Sequence, residues 1–230
     1  DNERQKASEI FNQHHLDRGK KTVMISIIGS SANKTYPLAY MSKVVDIVSK
    51  KINANILFNY IPNQLELAQK VYENCAEGTK KNIFFNLLGR DLREFIIIMD
   101  SCDLIIGNDG GAINMAKALN KPSFIIFSPW IEKQMWSTFE DGKLHDSVHL
   151  LDYQPHLIEE KTKKQLKDNS IALYPNLKPS YFKSKLSLFI DNNLADKNKK
   201  TTPTNFNKLF THHKFFPLSV FGSCCLKIFQ

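Results

Sequence analysis

The sequence predicts an α/β protein built as a Rossmann-like, doubly wound parallel sheet. Short apolar runs that suit buried strands alternate with segments whose apolar residues recur at helical spacing, at least four times between Thr22 and Pro129. Turns rich in small and polar residues separate the two kinds of segment, which is typical of strand–loop–helix units. In open sheets of this class, ligands bind beyond the carboxyl ends of the strands, so the turns after strands are the candidate sites.

The first unit begins with a β-branched, apolar strand over residues 22–28 (TVMISII). The loop 29–37 (GSSANKTYP) offers the hydroxyls of Ser30 and Ser31 and the ammonium group of Lys34. These groups could cradle a diphosphate, with the serines and backbone N–H groups as donors and Lys34 as a point charge. The alternative is a solvated loop whose lysine only favours solubility. The helix that follows has a predicted buried face of Leu38, Met41, Val44, Val45 and Val48.

Two further units follow along the chain. Residues 55–60 (NILFNY) predict a strand, after which Pro62 opens a helix. Residues 82–88 (NIFFNLL) predict another strand, followed by a helix over residues 92–102. The predicted buried residues of these two helices are Leu65, Ala68, Val71, Tyr72, Phe95, Ile96 and Met99.

The stretch 103–129 (DLIIGNDGGAINMAKALNKPSFIIFSP) is a fourth unit and the one around which the chain is organised. An apolar strand at residues 104–106 breaks at the turn 107–111, and a second strand follows at residues 124–127. The helix between them is stopped by residues 120–122, and its apolar residues are Ala112, Met115, Ala116 and Leu119.

The turn in this stretch has the chemistry of an anion site. Gly110 and Gly111 allow close approach of a ligand to the backbone, because no Cβ stands in the way. The first turn of the helix presents unpaired N–H groups and a partial positive charge, which suit a phosphate. The alternative is a tight turn in which Asp109 only caps the helix.

Aromatic residues follow the second strand of this unit. Trp130, Trp136 and Phe139 could form the wall of a base or sugar pocket, and simple packing is the alternative. Residues 146–151 (DSVHLL) predict a last short strand. Residues 180–194 predict a closing amphipathic helix with an apolar face of Phe182, Leu186, Phe189 and Ile190.

The stretch 103–129 resembles the C-terminal-domain signature of glycosyltransferase family 9, the lipopolysaccharide heptosyltransferases. The resemblance covers about residues 20–190. Many members of the family carry a His near the start of the helix, where this chain has Asn114. An Asn can donate a hydrogen bond to a phosphate but cannot carry a proton or a charge. The matching positions are Asp109, Gly110, Gly111, Ala116, Leu119, Pro122, residues 127–129, Ser30, Ser31, Lys34, Tyr36 and Pro37.

The resemblance implies one half of a GT-B type glycosyltransferase, the C-terminal donor-binding domain. It implies transfer of a heptose or related sugar from a nucleotide donor, expected to be ADP-heptose, to a lipopolysaccharide core acceptor. Gln64 or Glu66 would bind the nucleoside, although Glu66 also suits an ordinary first helical turn. The family's general base is an Asp in the N-terminal domain, which the resemblance does not cover. No residue of this sequence is therefore assigned as the catalytic base. The implied diphosphate-binding residues are Ser30, Ser31, Lys34, Asp109, Gly110, Gly111 and Asn114.

The composition of the chain limits the classes of partner that it could bind. The 230 residues carry a formal net charge of +8 and a pI of about 9.2, which suits sugar nucleotides, anionic lipid surfaces or nucleic acid. No run of 18 apolar residues occurs, so no transmembrane helix is expected, and no signal peptide is found. The cysteine pattern is most simply explained by a reducing cytoplasm, so a cytoplasmic protein that could also contact the inner membrane peripherally is expected. No Asp-x-Asp triplet occurs, and neither a metal nor a cofactor is expected. The cysteines form no CxxC pair and are Cys75, Cys102, Cys224 and Cys225.

Three segments are expected. Residues 1–18 form a linker helix, and residues 19–194 form the nucleotide-sugar-binding domain. Residues 195–230 form a basic tail with six lysines against one acid and scattered phenylalanines, which could touch an anionic membrane.

Two other functions fit parts of the sequence. The chain could be a non-catalytic fragment that binds a nucleotide sugar or a protein partner, because the base-bearing domain is absent. It could also bind nucleic acid, but only its charge favours this and no recognition signature is found, so no nucleic acid partner is expected.

Overall fold

The computed structural model describes residues 2–137 and 139–194, and this part of the chain forms one six-stranded parallel sheet in the order β3-β2-β1-β4-β5-β6. The predicted α/β, Rossmann-like class is therefore confirmed. The strand order reverses between β1 and β4, which makes the crevice above these two strands the topological switch point. The strands are β1 (Thr22–Ser26), β2 (Asn55–Asn59), β3 (Ile83–Phe84), β4 (Leu104–Asn108), β5 (Ser123–Ile126) and β6 (His145–Val148).

Helices cover both faces of the sheet. One apolar core lies under α2, α3 and α10, and a second lies under α1, α5 and α6. Successive residues of β1 alternate between the two cores, since Val23 and Ile25 join the first and Met24 joins the second. The helices are α1 (Asn2–Gln13), α2 (Leu38–Lys51), α3 (Leu65–Glu73), α4 (Glu77–Lys80), α5 (Leu92–Asp100), α6 (Gly111–Ala118), α7 (Lys133–Trp136), α8 (Lys163–Asp168), α9 (Ser170–Leu173) and α10 (Pro179–Leu194).

The predicted buried faces of the long helices are largely correct. Met41, Val44, Val45 and Val48 of α2 are fully buried, as are the predicted apolar residues of α10. The prediction for α3 was wrong at Leu65, which is 49% exposed. Leu65 is the first residue of α3 and directly follows a 3-10 turn, so its side chain lies off the buried stripe formed by Ala68 and Val71.

Several strand ends differ from the predicted ones. The central strand β1, predicted over residues 22–28, ends at Ser26. The strand predicted over residues 82–88 pairs with β2 through Ile83 and Phe84 alone. The strand predicted over residues 146–151 begins one residue earlier and ends at Val148. It ends there because the chain turns into a 3-10 segment that His149 caps, with its side chain accepting from the Leu151 N–H.

The N-terminal helix packs on the domain. Phe11 of α1 is 2% exposed and belongs to the core that also contains α5. The Arg93 guanidinium of α5 donates to the Glu3 carboxylate at 2.8 Å. The boundaries predicted at residues 18 and 194 stay predictions, and the basic tail 195–230 lies outside the described residues. None of the helices formed by residues 2–137 and 139–194 combines the length and the hydropathy that crossing a bilayer demands.

A buried histidine in β6 makes stability depend on pH. His145 Nδ1 lies 2.8 Å from the Ser123 Oγ of β5, and burial together with nearby Lys117 lowers the pKa of His145 from 6.5 to about 4. The unfolded chain therefore binds more protons between these two pH values. Stability is complete above pH 6.5 and falls as the pH drops towards 4.

We expect this histidine to account for a loss of at most about 3 kcal/mol in the free energy of unfolding over that interval. Urea denaturation between pH 7 and 4 measures the loss. His145→Gln should flatten the slope, whereas His156→Gln, at an exposed position, should leave it unchanged. Equal slopes for the wild type and His145→Gln would contradict the assignment.

Candidate functional site

The site lies in the crevice at the carboxyl ends of β1 and β4. The loop after β1 and the turn after β4 meet here, although 75 residues separate Lys34 from Asp109 in the chain. A cleft of about 70 Å³ lies between them. Its lining includes Ser26, Gly29, Ser30, Tyr60, Gln64, Asp109, Gly110, Gly111 and Ala112.

The loop after β1 folds back tightly on itself. A Cβ on Gly29 would lie 2.3 Å from the carbonyl oxygen of Lys34, so only glycine fits at this position. The Thr35 hydroxyl closes the loop, because it accepts from the Gly29 N–H at 3.2 Å and donates to the Ser31 carbonyl at 2.8 Å. The closed loop exposes Ser30 at the cleft and directs Lys34 towards β4.

Lys34 is the central cation of the site. Its ammonium lies 3.1 Å from the Asp109 Oδ2, and the two side chains are 18% and 6% exposed. The same ammonium lies over the rings of Trp130 and Trp136, at 5.5 and 5.9 Å from their centres. One carboxylate and two aromatic faces therefore surround the positive charge. Lys34 does not itself line the cleft of about 70 Å³, but it is paired with Asp109, which does.

The turn after β4 presents the start of a helix to the cleft. Gly110 is the N-cap of α6 in an extended conformation, and a Cβ on it would meet nothing within 4 Å. Asp109 is therefore not the N-cap, and its carboxylate pairs with Lys34 instead. The first N–H groups of α6 have no partner within the helix, and they carry its partial positive charge.

Asn108 joins the two loops beneath the site. Its side-chain oxygen accepts from the Tyr36 N–H at 2.7 Å, and its side-chain nitrogen donates to the Ser26 carbonyl at 3.0 Å. The buried Tyr36 hydroxyl in turn donates to the Leu177 carbonyl ahead of α10. The ends of β1 and β4 are thereby fixed to one another and to the closing helix.

Three residues that follow β5 in the chain also hold the loop after β1 by hydrogen bonds. The carbonyl oxygen of Asn33 accepts from the Ser128 hydroxyl at 2.5 Å, the Ser170 hydroxyl at 2.9 Å and the Trp130 indole N–H at 3.2 Å. His149 supports Ser128, because its Nδ1 accepts from the Leu151 N–H and leaves Nε2–H to donate to the Ser128 carbonyl at 3.2 Å.

The structure does not bring all the predicted residues to the cleft. The hydroxyl of the exposed Ser31 donates to Asn33 Oδ1 at 2.7 Å. Asn114 lies half-buried in the first turn of α6, and Glu66 is exposed in the first turn of α3. Gln64 lines the cleft, but its amide is used internally. It donates to the Gly29 carbonyl at 3.0 Å and accepts from the Ile61 N–H at 3.1 Å.

Sequence reasoning missed the residues that shape this site. No role was predicted for Thr35, Asn108, Ser128, Ser170 or His149, although Asn108 lies in the turn 107–111 and Ser128 lies in the matching residues 127–129. No local spacing distinguishes them from ordinary loop residues. Trp130 and Trp136 were noted, but their contact with Lys34 was not foreseen. Across residues 2–137 and 139–194, no group of three or more His, Cys, Asp or Glu side chains is placed to hold a metal ion.

Comparison with known proteins places the chain in a family. The profile of glycosyltransferase family 9 (heptosyltransferase) matches residues 1–145. Lipopolysaccharide heptosyltransferase 1 of Campylobacter coli is 34% identical over 115 residues, which cover 49% of this chain and 33% of that protein.

Two solved structures share the fold at low identity. The family 9 glycosyl transferase of Veillonella parvula has a TM-score of 0.62 and 18% identity, covering 83% of this chain and 52% of that one. The ADP-heptose lps heptosyltransferase II of E. coli has a TM-score of 0.54 and 16% identity, covering 74% and 51%. The chain thus spans about a third of the curated relative and about half of each solved structure.

Proposed function

The chain belongs to glycosyltransferase family 9, the heptosyltransferases, and from this premise we propose that it supplies the donor-binding half of an enzyme that transfers a heptose or related sugar to a lipopolysaccharide core. The observation that carries the proposal is the position of Lys34. Its ammonium lies at the switch point of the sheet, beside the start of α6 and within 3.1 Å of Asp109. Ligands of open parallel sheets bind at this point, and the cation suits a diphosphate.

The proposed reaction is a direct displacement at the anomeric carbon of the donor sugar. The acceptor hydroxyl oxygen forms the new bond, the bond from the anomeric carbon to the diphosphate oxygen breaks, and the hydroxyl proton passes to a general base. Lys34, the Ser30 hydroxyl and the first N–H groups of α6 would stabilise the charge on the departing diphosphate. Ser31 and Asn114 stay candidates for the same diphosphate.

The size of the cleft agrees with half of a two-domain site. Ligand pockets for small molecules typically enclose roughly 300–1,000 Å³, whereas the cleft here measures about 70 Å³. It could hold part of a diphosphate but not a whole nucleotide sugar. The rest of the donor would lie against a facing domain and against the segment that carries Trp130 and Trp136.

ADP-heptose is the donor we propose, because a solved structural relative is an ADP-heptose heptosyltransferase. Glu66 is the better nucleoside candidate on α3, since its carboxylate has no hydrogen bond or salt bridge to the described residues, whereas both ends of the Gln64 amide are engaged. A cytoplasmic location is part of the same proposal. A membrane-borne acceptor would bring the protein to the membrane surface.

Calorimetric titration of the purified chain with ADP-heptose, ADP, UDP and GDP tests the proposal. We expect binding of the adenine nucleotides to be at least tenfold tighter than binding of UDP or GDP. Turnover of ADP-heptose by the chain would distinguish an enzyme from the alternative, a fragment that binds the nucleotide sugar without catalysis. Tightest binding of UDP or GDP would contradict the ADP-heptose assignment.

Gly110→Ala tests whether the diphosphate lies at the start of α6. The new Cβ meets nothing within 4 Å in the folded chain, and the φ angle of 171° is ordinary extended backbone. We therefore expect thermal stability to be unchanged and ADP affinity to fall about tenfold, because the methyl group would occupy the approach to the helix N–H groups. Unchanged affinity at unchanged stability would place the diphosphate elsewhere.

A further inference from the structure

A second concave surface lies between α2 and α10 and shares no lining residue with the cleft at the switch point. Tyr36, just before α2, contacts Phe182 in the first turn of α10, and the Lys51 ammonium at the end of α2 pairs with Asp191 near the end of α10 at 2.6 Å. The groove between them has a volume of about 600 Å³. We call it the lysine groove, and its lining is Tyr40, Lys43, Asp46, Ile47, Lys50, Lys51, Lys178, Pro179, Ser180, Lys183 and Ser187.

The lysine groove carries a strong and mostly uncompensated positive charge. Its one carboxylate, Asp46, is buried and accepts from the Ala76 N–H at 2.9 Å. Of its five lysines, Lys51 is paired with Asp191. The other four are exposed and form no salt bridge with any residue in 2–137 or 139–194, and they are Lys43, Lys50, Lys178 and Lys183.

The arrangement of these charges fits an extended anionic surface better than one phosphate ion. Lys43 and Lys50 are seven residues apart on α2, which corresponds to roughly 10 Å along the helix. Lys178 and Lys183 face them from the start of α10. Four ammonium groups spread over such distances can each meet a separate phosphate.

Between the lysines, the groove has an apolar floor. Tyr40 and Ile47 are half-buried and Pro179 is buried. A basic rim around apolar groups is the pattern of proteins that rest on anionic lipid, where lysines meet headgroups and apolar atoms meet the acyl boundary. Nucleic acid would use the charge but would gain little from such a floor.

We propose that the lysine groove docks this protein on the anionic phospholipid surface of a membrane. The groove is independent of the donor site, so the proposal does not rest on the proposed function. The sequence that follows α10 agrees with it, because residues 195–230 add six lysines and six phenylalanines to the chain directly after Leu194.

Vesicle sedimentation tests the proposal, with vesicles of phosphatidylglycerol and phosphatidylethanolamine compared with neutral phosphatidylcholine. One variant replaces Lys43, Lys50, Lys178 and Lys183 by Gln. A matched variant makes the same charge change at Lys70, Lys143, Lys161 and Lys164, which are exposed, form no salt bridge with described residues and lie outside the groove. Each lysine near an anionic leaflet contributes roughly fivefold to the partition coefficient.

We expect the groove variant to lose at least tenfold in binding to the anionic vesicles and the matched variant to stay within threefold of wild type. Equal losses in both variants would show that net charge alone matters, and no loss in either would place the contact elsewhere. Either result overturns the proposal, as does a larger loss in binding to a DNA duplex than to vesicles. Calorimetry of both variants with ADP keeps this test separate from the donor site, since neither variant should change ADP affinity.

Discussion

Lys34→Ala is expected to weaken ADP binding by about 10- to 100-fold. A hydrogen bond to a charged group contributes about 1.5–3 kcal/mol, which corresponds to this range of affinity. The substitution has a second effect, because Asp109 is only 5% exposed and loses its counter-ion. The remaining carboxylate would then repel the diphosphate.

A double variant separates these two effects. In Lys34→Ala/Asp109→Asn the repulsive carboxylate is gone, so the affinity still missing measures the direct contact between Lys34 and the ligand. We expect the double variant to remain at least fivefold weaker than wild type by calorimetry. Recovery of full affinity would mean that Lys34 only neutralises Asp109, and the assigned role would be wrong.

Lys167→Ala is the matched control for Lys34. The ammonium of Lys167 lies 5.4 Å from the centre of the Trp130 ring, the same ring that Lys34 approaches, but Lys167 has no contact with Asp109. Removal of this charge should change ADP affinity by less than threefold. Thermal unfolding of each variant, measured in parallel, distinguishes a lost contact from a damaged fold.

Gly107→Ala is expected to give the largest loss of stability, about 3 kcal/mol or more in the free energy of unfolding. Gly107 pairs with Ser26 in the centre of the sheet, at a φ of 138°. A Cβ at this position would lie 2.3 Å from the Ser26 carbonyl oxygen. Relief of this overlap requires β1 and β4 to separate directly beneath the site.

Gly142→Ala is a comparison at a glycine that also has a positive φ but lacks the overlap with a neighbouring strand. Gly142 also has a positive φ, 68°, but a Cβ there meets nothing within 4 Å. We expect it to cost about 1 kcal/mol, the usual penalty for a left-handed residue. Urea denaturation measures both variants, and equal losses would show that the overlap with Ser26 relaxes at no cost.

The fold was predictable because its signals are local. The buried face of α2 repeats at helical spacing from Met41 to Val48, and β1 and β4 are short apolar runs, so periodicity alone identifies them. The predicted length of β3 was too great, because the strand's length is set by pairing with β2 and not by its own apolar residues. The end of β6 is set by the 3-10 turn that His149 caps.

The site was predictable only in part, because only some of its residues carry a local signal. Gly110 and Lys34 each stand in a turn with a local chemical signature, and the structure brings those turns together. Lys34 pairs with Asp109 and lies against Trp130 and Trp136, and these three residues are far from Lys34 in sequence. No spacing rule encodes such distances. The roles of the predicted binding residues stay predictions until ligand titrations test them.

The fastening of Asn33 has a consequence for the order in which the molecule can assemble. Its carbonyl oxygen depends on donors that are 95, 97 and 137 residues further along the chain. A nascent chain that has emerged only as far as α6 already contains Lys34 and Asp109, yet the segment that carries Lys34 still lacks these three anchors. The loop at the proposed diphosphate site is therefore fully anchored only after Ser170 has been synthesised.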